Sequence, residues 1–176
     1  SLDVASMANS STKVFILEVM GRHAGWLAAS AGVIKNGANT PPHIILFPEV
    51  IFNQKKFLTT VKSTVENHGY CVIVASEGIK DNKNNFIAAS DSKDSFGHAH
   101  LGGVAPKLAE MITNKLKHKV HWAVSDYLQR AARHVASDVD VKQAYAIGYK
   151  ALGFAKSQIN GVMLTINKKN TPKYQW

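Results

Sequence analysis

The sequence predicts an α/β fold, a layered and mostly parallel sheet with helices on both faces. Two observations carry this prediction. Short apolar β-rich runs alternate along the chain with longer helical patterns, in the order β-α-β-α-β-α-β. The runs are also continuously apolar, which is typical of parallel strands that are buried on both faces. We therefore expect a single Rossmann-like lobe over residues 1–176.

Three strands and two helices are predicted in the first half of the chain. KVFILEV is the first strand, and the alanine-rich stretch after it is predicted to be a buried helix that Gly37 ends at a C-cap. HIILF, introduced by two prolines, is the second strand. Phe57, Val61 and Val65 lie four residues apart, which predicts the second helix. YCVIVAS is the third strand. The predicted bounds are 13–19, 23–37, 43–47, 53–67 and 70–76.

The polar stretch from Gly78 to His100 is too long for a tight turn and is predicted to be a mobile excursion. Apolar residues at helical spacing then predict a helix that tolerates Pro106 in its first turns. KVHWAV is predicted as an edge strand. Two helices follow, the second with Asp138 or Asp140 as an acid at its N-terminus, and GVMLTI is the last strand. The predicted bounds are 101–116, 119–124, 126–135, 139–157 and 161–166.

Composition and charge limit the classes of function. With 45% hydrophobic and 19% charged residues, the chain has globular composition rather than that of a disordered protein. No apolar run approaches the ~20 residues of a membrane span, so we expect no membrane partner. The net charge of +9 suits anionic ligands, but the basic residues are scattered and not interleaved with aromatics, so we expect no nucleic-acid partner. The single cysteine, Cys71, is predicted to be a buried thiol and indicates a reducing, cytoplasmic setting.

A phosphate-binding junction is predicted where the first strand ends, because ligands of open α/β sheets bind beyond the carboxyl ends of the strands. Gly21 allows the backbone to approach a ligand closely. Arg22 adds a planar, bidentate donor for phosphate. The N-terminus of the following helix favours an anion. On spacing alone, a tight turn with an exposed arginine explains the same residues.

Two further polar groups follow later strands. Glu77 ends the third strand before a glycine, where a carboxylate is placed to accept hydrogen bonds from sugar hydroxyls; a loop-capping acid is the alternative. Tyr127 and Arg130 are three apart and share a helix face as a phosphate-binding pair, with a solvated basic face as the alternative. His98 and His100 lack a third ligand at a useful spacing, so no metal site is predicted in this chain.

Four ordered segments resemble the phosphofructokinase family: EVMGRHAGWLAAS, VIVASEG, DSFGHAHLGGVAPKLAEMI and DYLQRAARHVASDVDVKQAYAIGYKA. They cover nearly the whole chain, and the closest similarity is to the pyrophosphate-dependent branch. The resemblance implies a glycolytic phosphotransferase that moves a phosphoryl group reversibly from magnesium pyrophosphate to the 1-hydroxyl of fructose 6-phosphate. It also implies Mg²⁺ as a cofactor bound with the donor, and a homo-oligomer. Tyr127 stands where ATP-using members usually carry histidine, which favours the pyrophosphate branch.

The resemblance also assigns residues. The Met-Gly-Arg segment contacts the sugar phosphate, the acid that closes the third strand binds sugar hydroxyls, and the Tyr-x-x-Arg segment binds the 6-phosphate. The substrate-binding residues implied in this way are Met20, Gly21, Arg22, Glu77, Tyr127, Leu128, Gln129 and Arg130. Lys13 stands where the family often has an arginine donated to a neighbouring subunit, and His121 stands at a second such position. Both depart from the family pattern, so cross-subunit contacts are the weakest part of the assignment.

The family's Gly-Gly-Asp donor loop and its Thr-Ile-Asp-Asn-Asp segment, which carries the aspartate general base, do not occur in this sequence. The resemblance places both before Ser1. We therefore expect a piece of a longer protein that lacks the N-terminal donor-binding lobe and the C-terminal end. No catalytic residue is expected in this chain, which alone should be inactive. The alternatives are an ATP-dependent phosphofructokinase fragment, a non-catalytic regulatory chain, and a basic nucleic-acid-binding module.

Overall fold

A four-stranded parallel sheet forms the centre of the protein. The computed structural model describes residue 6 and residues 9–37, 40–93 and 99–176, and gives only the backbone for 89–93 and 99–100. The strands are β1 (Thr12–Val19), β2 (Ile44–Leu46), β3 (Cys71–Ser76), β4 (Ala89–Lys93), β5 (Ala99–Leu101) and β6 (Lys119–Val124). The sheet has the order β2-β3-β1-β6, and all three pairings are parallel. The predicted parallel sheet, with β6 at an edge, is confirmed.

The helices follow the strands in the predicted alternation. They are α1 (Trp26–Ser30), α2 (Gln54–His68), α3 (Val104–Leu116), α4 (Leu128–Ala131) and α5 (Asp138–Lys156), with a 3₁₀ turn at Arg133–Val135. The chain forms two compact units, Ser1–Gln129 and Arg130–Trp176. The whole sheet lies in the first unit and α5 lies in the second, and the single lobe expected over 1–176 stays a prediction. No helix of the described residues is long and apolar enough to cross a membrane.

Helices cover both faces of the sheet, as predicted. On one face, Ile16 of β1 and Ile73 of β3 are fully buried in a core that α2 and α3 complete through Val61 and Leu108. On the other face, Val74 packs in a smaller cluster with Ala28 of α1 and Val19. Each fully buried branched side chain contributes about 1.5–3 kcal/mol of hydrophobic free energy, so the α2 and α3 face carries most of the stability.

The α2 helix shows how local sequence sets an element. Asn53 is its N-cap, and its side chain accepts the Lys56 N–H at 2.9 Å. Gly69 ends the helix at φ 79°, a left-handed conformation that favours glycine. Phe57 is buried, as are the two valines that follow it at four-residue spacing. The helix predicted over 53–67 is confirmed within one residue at each end.

Two predicted elements are wrong. The buried helix over 23–37 is instead the five-residue α1, with Trp26 82% and Val33 85% exposed. Apolar composition alone suggested burial there, but Gly32 interrupts the helical stretch at a cost of about 1 kcal/mol relative to alanine. The strand predicted at 161–166 does not form, and Met163 is 87% exposed. A β-rich run becomes a strand only where a partner supplies its backbone hydrogen bonds.

Part of the stretch predicted as a mobile excursion forms a turn and two strands, and its mobility stays a prediction. Asp81 closes a turn by accepting the backbone N–H groups of Lys83 and Asn85, and the Asn85 hydrogen bond is the main cause of a lowered Asp81 pKa. Strands β4 and β5 then pair antiparallel. Residues 94–98, including His98 of the weighed histidine pair, lie outside the described residues. In the 126–135 region, the predicted helix is the short α4 followed by the 3₁₀ turn.

Candidate functional site

A cavity of about 180 Å³ lies at the carboxyl ends of β1, β3 and β6, where the sequence predicted a ligand. Its polar side chains are carboxylates that follow or end these strands. The lining residues are Glu18, Val19, Met20, Glu77, Leu101, Gly102, Gly103, Val124 and Asp126. Met20 and Glu77, predicted from two different strand ends, therefore meet at one cavity because β1 and β3 are neighbours in register.

Glu77 contacts the Met-Gly-Arg segment directly. The Gly21 N–H donates to Glu77 Oε1 at 3.1 Å, across 56 residues of sequence. The Ser76 hydroxyl donates to the Gly21 carbonyl at 2.6 Å. Both polar groups of the Gly21 backbone are thus held by the two residues that end and follow β3. The Gly21 N–H is thus engaged within the protein in this structure.

Two glycines make this close approach possible. Gly21 has φ 147°, and a Cβ there would lie 2.6 Å from Ser76 Oγ and 2.7 Å from the Ala24 carbonyl oxygen. A Cβ at Gly78 would overlap the carbonyl oxygens of Gly21 and Arg22. These neighbours are mainly backbone and cannot move aside cheaply. The sequence predicted that Gly21 serves a close approach to a ligand, and within the protein it allows a close approach to Ser76 and Ala24.

Glu18 is a buried carboxylate in the cavity wall that sequence reasoning missed as a functional residue. It is 2% exposed, and its oxygens accept the N–H groups of Gly103 at 3.0 Å and Ala105 at 2.8 Å. Gly103 is the N-cap of α3 and has no side chain to cap the helix. Glu18 therefore supplies the cap from β1, and its charge occupies the positive end of α3 that would otherwise attract an anion.

The N-terminus of α1, predicted as an anion site, is also occupied by a carboxylate. Glu49 Oε1 accepts the Gly25 N–H at 2.8 Å. The helix has only five residues, so its dipole is weak. The backbone at the start of α1 is thus engaged by Glu49, and the side chain of Arg22 beside it is half-buried.

The Tyr-x-x-Arg segment begins close to the cavity. Asp126 lines the cavity and has φ 42°, an unusual backbone conformation for a residue other than glycine. Tyr127 and Leu128 are 65% and 73% exposed. The side-chain amide nitrogen of Gln129 is buried and has no hydrogen-bond partner within the described residues, so it is a donor that a ligand can satisfy. Arg130 is exposed and is the first residue of the second unit.

Lys13 and His121 are not brought to this cavity. Lys13 lies near the amino end of β1, about 20 Å from its carboxyl end at ~3.3 Å per residue. His121 pairs in register with Phe15 in the same half of the sheet. If Lys13 and His121 contact phosphate, they do so at a site other than this cavity. The family resemblance implies that such a site belongs to a neighbouring subunit.

The carboxylates of the cavity wall differ in how far they are already engaged within the protein. Three carboxylates line the cavity, but both oxygens of Glu18 are engaged by backbone N–H groups. No group of three or more histidine, cysteine, aspartate or glutamate side chains among the described residues is placed to hold a metal ion.

Comparison with known proteins identifies the family. Residues 2–155 match the family model described as phosphofructokinase. This chain belongs to the phosphofructokinase family. Its sequence is 52% identical over 176 residues to the pyrophosphate--fructose 6-phosphate 1-phosphotransferase of Halomonas elongata, and 50% identical to the enzyme of the same name from Methylococcus capsulatus. Each match covers all of this chain and 42% of the relative.

Solved structures show the same fold. The pyrophosphate-dependent phosphofructokinase from Marinobacter aquaeolei matches with a TM-score of 0.78 and 49% identity, over all of this chain and 40% of that one. The corresponding structure from Nitrosospira multiformis matches with a TM-score of 0.75 and 47% identity. This phosphofructokinase chain thus spans about two fifths of the length of the relatives that it matches, and its α/β fold is the one predicted.

Proposed function

We propose that this chain is the fructose 6-phosphate-binding part of a pyrophosphate-dependent phosphofructokinase. The complete enzyme would transfer a phosphoryl group from magnesium pyrophosphate to the 1-hydroxyl of fructose 6-phosphate, reversibly, in the cytoplasm. The observation that carries the proposal is the 3.1 Å contact between Gly21 N–H and Glu77 Oε1. It joins the Met-Gly-Arg segment and the sugar-binding acid at one cavity, in a chain about 50% identical to enzymes named for this reaction.

Each of these residues is proposed to contact a different part of the substrate. The Gly21 N–H is used by Glu77, so the phosphate contact of this segment falls to the Arg22 guanidinium, a bidentate donor. Glu77 Oε2 receives no hydrogen bond from the described residues and is the oxygen proposed to accept a sugar hydroxyl. The 6-phosphate would be bound by the segment from Tyr127 to Arg130. Such contacts contribute to phosphoryl transfer by positioning the substrate.

The chain alone is proposed to bind substrate without turnover. Phosphoryl transfer to a hydroxyl needs a general base and a cradle for the donor, and the family motifs for both are missing from the sequence. Incubation with fructose 6-phosphate and either magnesium pyrophosphate or magnesium ATP should give no fructose 1,6-bisphosphate. Product with either donor would show that the chain contains its own base, and would identify that donor.

Binding is tested by titration calorimetry of the 176-residue chain with fructose 6-phosphate, and with fructose as the ligand that lacks the phosphate. We expect a dissociation constant of about 1 mM or tighter for the phosphorylated sugar and no measurable binding of fructose. Arg22→Ala and Glu77→Gln should each weaken binding. Lys55→Ala is the matched control, because it removes an exposed cation from α2, none of whose residues lines the cavity.

Three outcomes would contradict the proposal: no binding by the unchanged chain, equal binding of fructose, or an equal effect of Lys55→Ala. The basic-module alternative is tested in parallel with a single-stranded oligonucleotide. It would bind with an affinity that falls steeply with salt and does not respond to fructose 6-phosphate. We expect the oligonucleotide to bind only weakly at physiological salt.

A further inference from the structure

The chain that ends β3 runs alongside the Met-Gly-Arg segment. Val19 and Ser76 are partners in the parallel register, and the Glu77 N–H donates to the Val19 carbonyl at 2.9 Å. The hydrogen bonding between β1 and β3 therefore continues one residue beyond the end of β3. Three consecutive residues, 76 to 78, are in this way brought against the Gly21–Arg22 peptide. We call these residues the 76–78 clamp.

Each member of the clamp acts on the loop by a different kind of contact. Ser76 donates its hydroxyl to the Gly21 carbonyl at 2.6 Å, and Glu77 accepts the Gly21 N–H at 3.1 Å. Gly78 contributes by lacking a side chain, since a Cβ there would overlap the carbonyl oxygens of Gly21 and Arg22. The Gly21 backbone is consequently held on both of its polar groups in a conformation, φ 147°, that most residues avoid.

Ser76 is 0% exposed, and its hydroxyl is directed to the site loop rather than to a group of the core. A serine in a fully buried strand position would pack equally well as alanine, apart from this hydrogen bond. The hydroxyl thus serves the loop that carries Arg22. The same loop places Met20 in the cavity wall beside Glu77.

We propose that Ser76 and Gly78 are positioning residues that fix the Gly21–Arg22 peptide, and through it the Arg22 guanidinium, for binding a sugar phosphate. The inference rests on the proposed function. Glu77 then has two tasks, since Oε1 holds the loop and Oε2 accepts the sugar hydroxyl. One carboxylate thereby sets the spacing between the sugar and the cation that binds its phosphate.

The test compares three serine variants of the 176-residue chain. Ser76→Ala removes the hydroxyl from the clamp, and Ser76→Thr retains it. Ser30→Ala is the matched control, because the Ser30 hydroxyl donates to the Leu27 carbonyl at 2.7 Å on an exposed helix outside the clamp. Two quantities are measured: the dissociation constant for fructose 6-phosphate by calorimetry, and the hydrogen-exchange rate of the Gly21 amide by NMR.

We expect Ser76→Ala to raise the dissociation constant about five- to tenfold, because the variant loses one buried hydrogen bond. The hydrogen-exchange rate of the Gly21 amide should rise by a similar factor for the same reason. Ser76→Thr should restore both values to within about twofold, and Ser30→Ala should change neither. A purely structural role would lower the melting temperature of Ser76→Ala without changing binding well below that temperature. That result, with Gly21 exchange unchanged, would overturn the inference.

The failure of the proposed function gives a different pattern. If the unchanged chain does not bind fructose 6-phosphate, the proposed function fails and the ligand part of this inference fails with it. Gly21 exchange would still show whether Ser76 holds the loop. If the unchanged chain binds and Ser76→Ala binds equally well, the function stands and the positioning role of Ser76 is wrong.

Discussion

Glu18 Oε2 accepts the backbone N–H of Ala105 at 2.8 Å, joining the end of β1 to the first turn of α3 across 87 residues of sequence. The same carboxylate accepts the Gly103 N–H at 3.0 Å through its other oxygen. The contact fixes the segment that forms one wall of the cavity. It also engages two backbone N–H groups at the N-terminus of α3.

Replacing Glu18 with glutamine should destabilise the first unit. Glutamine retains one acceptor but places an NH₂ group against a backbone N–H, leaving a buried donor unsatisfied at a cost of about 1–3 kcal/mol. Urea unfolding measures the change. Glu66→Gln is the control, because Glu66 is exposed and its ion pair with the exposed Lys62 is 3.8 Å long, so the change should cost no more than about 0.5 kcal/mol. Equal effects would show that Glu18 does not cap α3.

Gly78→Ala and Gly148→Ala should change stability in opposite directions. At Gly78 the new Cβ meets the backbone carbonyls of Gly21 and Arg22, which cannot move without disturbing the clamp, so we expect a loss of about 1–3 kcal/mol. Gly148 lies within α5 and a Cβ there would meet nothing within 4 Å, so alanine should stabilise the helix by up to about 1 kcal/mol. Thermal unfolding of both variants shows whether each change raises or lowers stability. A harmless Gly78→Ala would mean that the loop is not held against residue 78.

Patterns that repeat along the sequence predicted most of the sheet and its covering helices. The continuous apolar runs gave β1 and β3 nearly to the residue, and Phe57 with its spaced partners gave α2. These features depend on local periodicity, which a single sequence displays. The exposed α1 and the missing strand at 161–166 were predicted wrongly because burial and strand pairing depend on distant parts of the chain.

The candidate site could be predicted only in part, because some of its residues are marked by local sequence and others by contacts with distant parts of the chain. A polar residue after an apolar strand is visible in the sequence, which is why Glu77 was a candidate, whereas Met20 became one through the family resemblance of the Met-Gly-Arg segment. Glu18 and Ser76 sit within or at the end of apolar strands, and their partners lie 55 to 87 residues away. A charged residue inside an otherwise apolar strand was the available signal for Glu18. Nothing local distinguished the Ser76 hydroxyl from that of any other serine.

Arg130→Ala should weaken binding of fructose 6-phosphate by at least about tenfold, since a hydrogen bond to a charged group contributes about 1.5–3 kcal/mol. Arg130 is exposed on α4 and is assigned to the 6-phosphate. Titration calorimetry of the chain gives the dissociation constant. Lys150→Ala removes an exposed cation from α5 and should leave it unchanged. An unchanged dissociation constant for Arg130→Ala would remove this residue from the site.

Cys71 should make stability fall in alkali. Burial raises the pKa of its thiol to about 12 from the usual 9.0, although a hydrogen bond with Thr64 lowers it in part. Because the folded-state pKa is the higher one, the unfolded chain loses this proton first as the pH rises. The stabilisation is therefore complete below pH 9 and declines towards pH 12, at a slope of at most about 1.4 kcal/mol per pH unit.

The measurement is the free energy of unfolding in urea between pH 8.5 and about 10.5, for the unchanged chain and for Cys71→Ala. Lysines and tyrosines titrate in the same range and affect both proteins alike, so the difference between the two curves isolates the thiol. We expect the unchanged chain to lose stability relative to Cys71→Ala as the pH rises. Parallel curves would mean that the thiol ionises as readily in the folded chain as in the unfolded one. Its place in the core beside β1 would then be wrong.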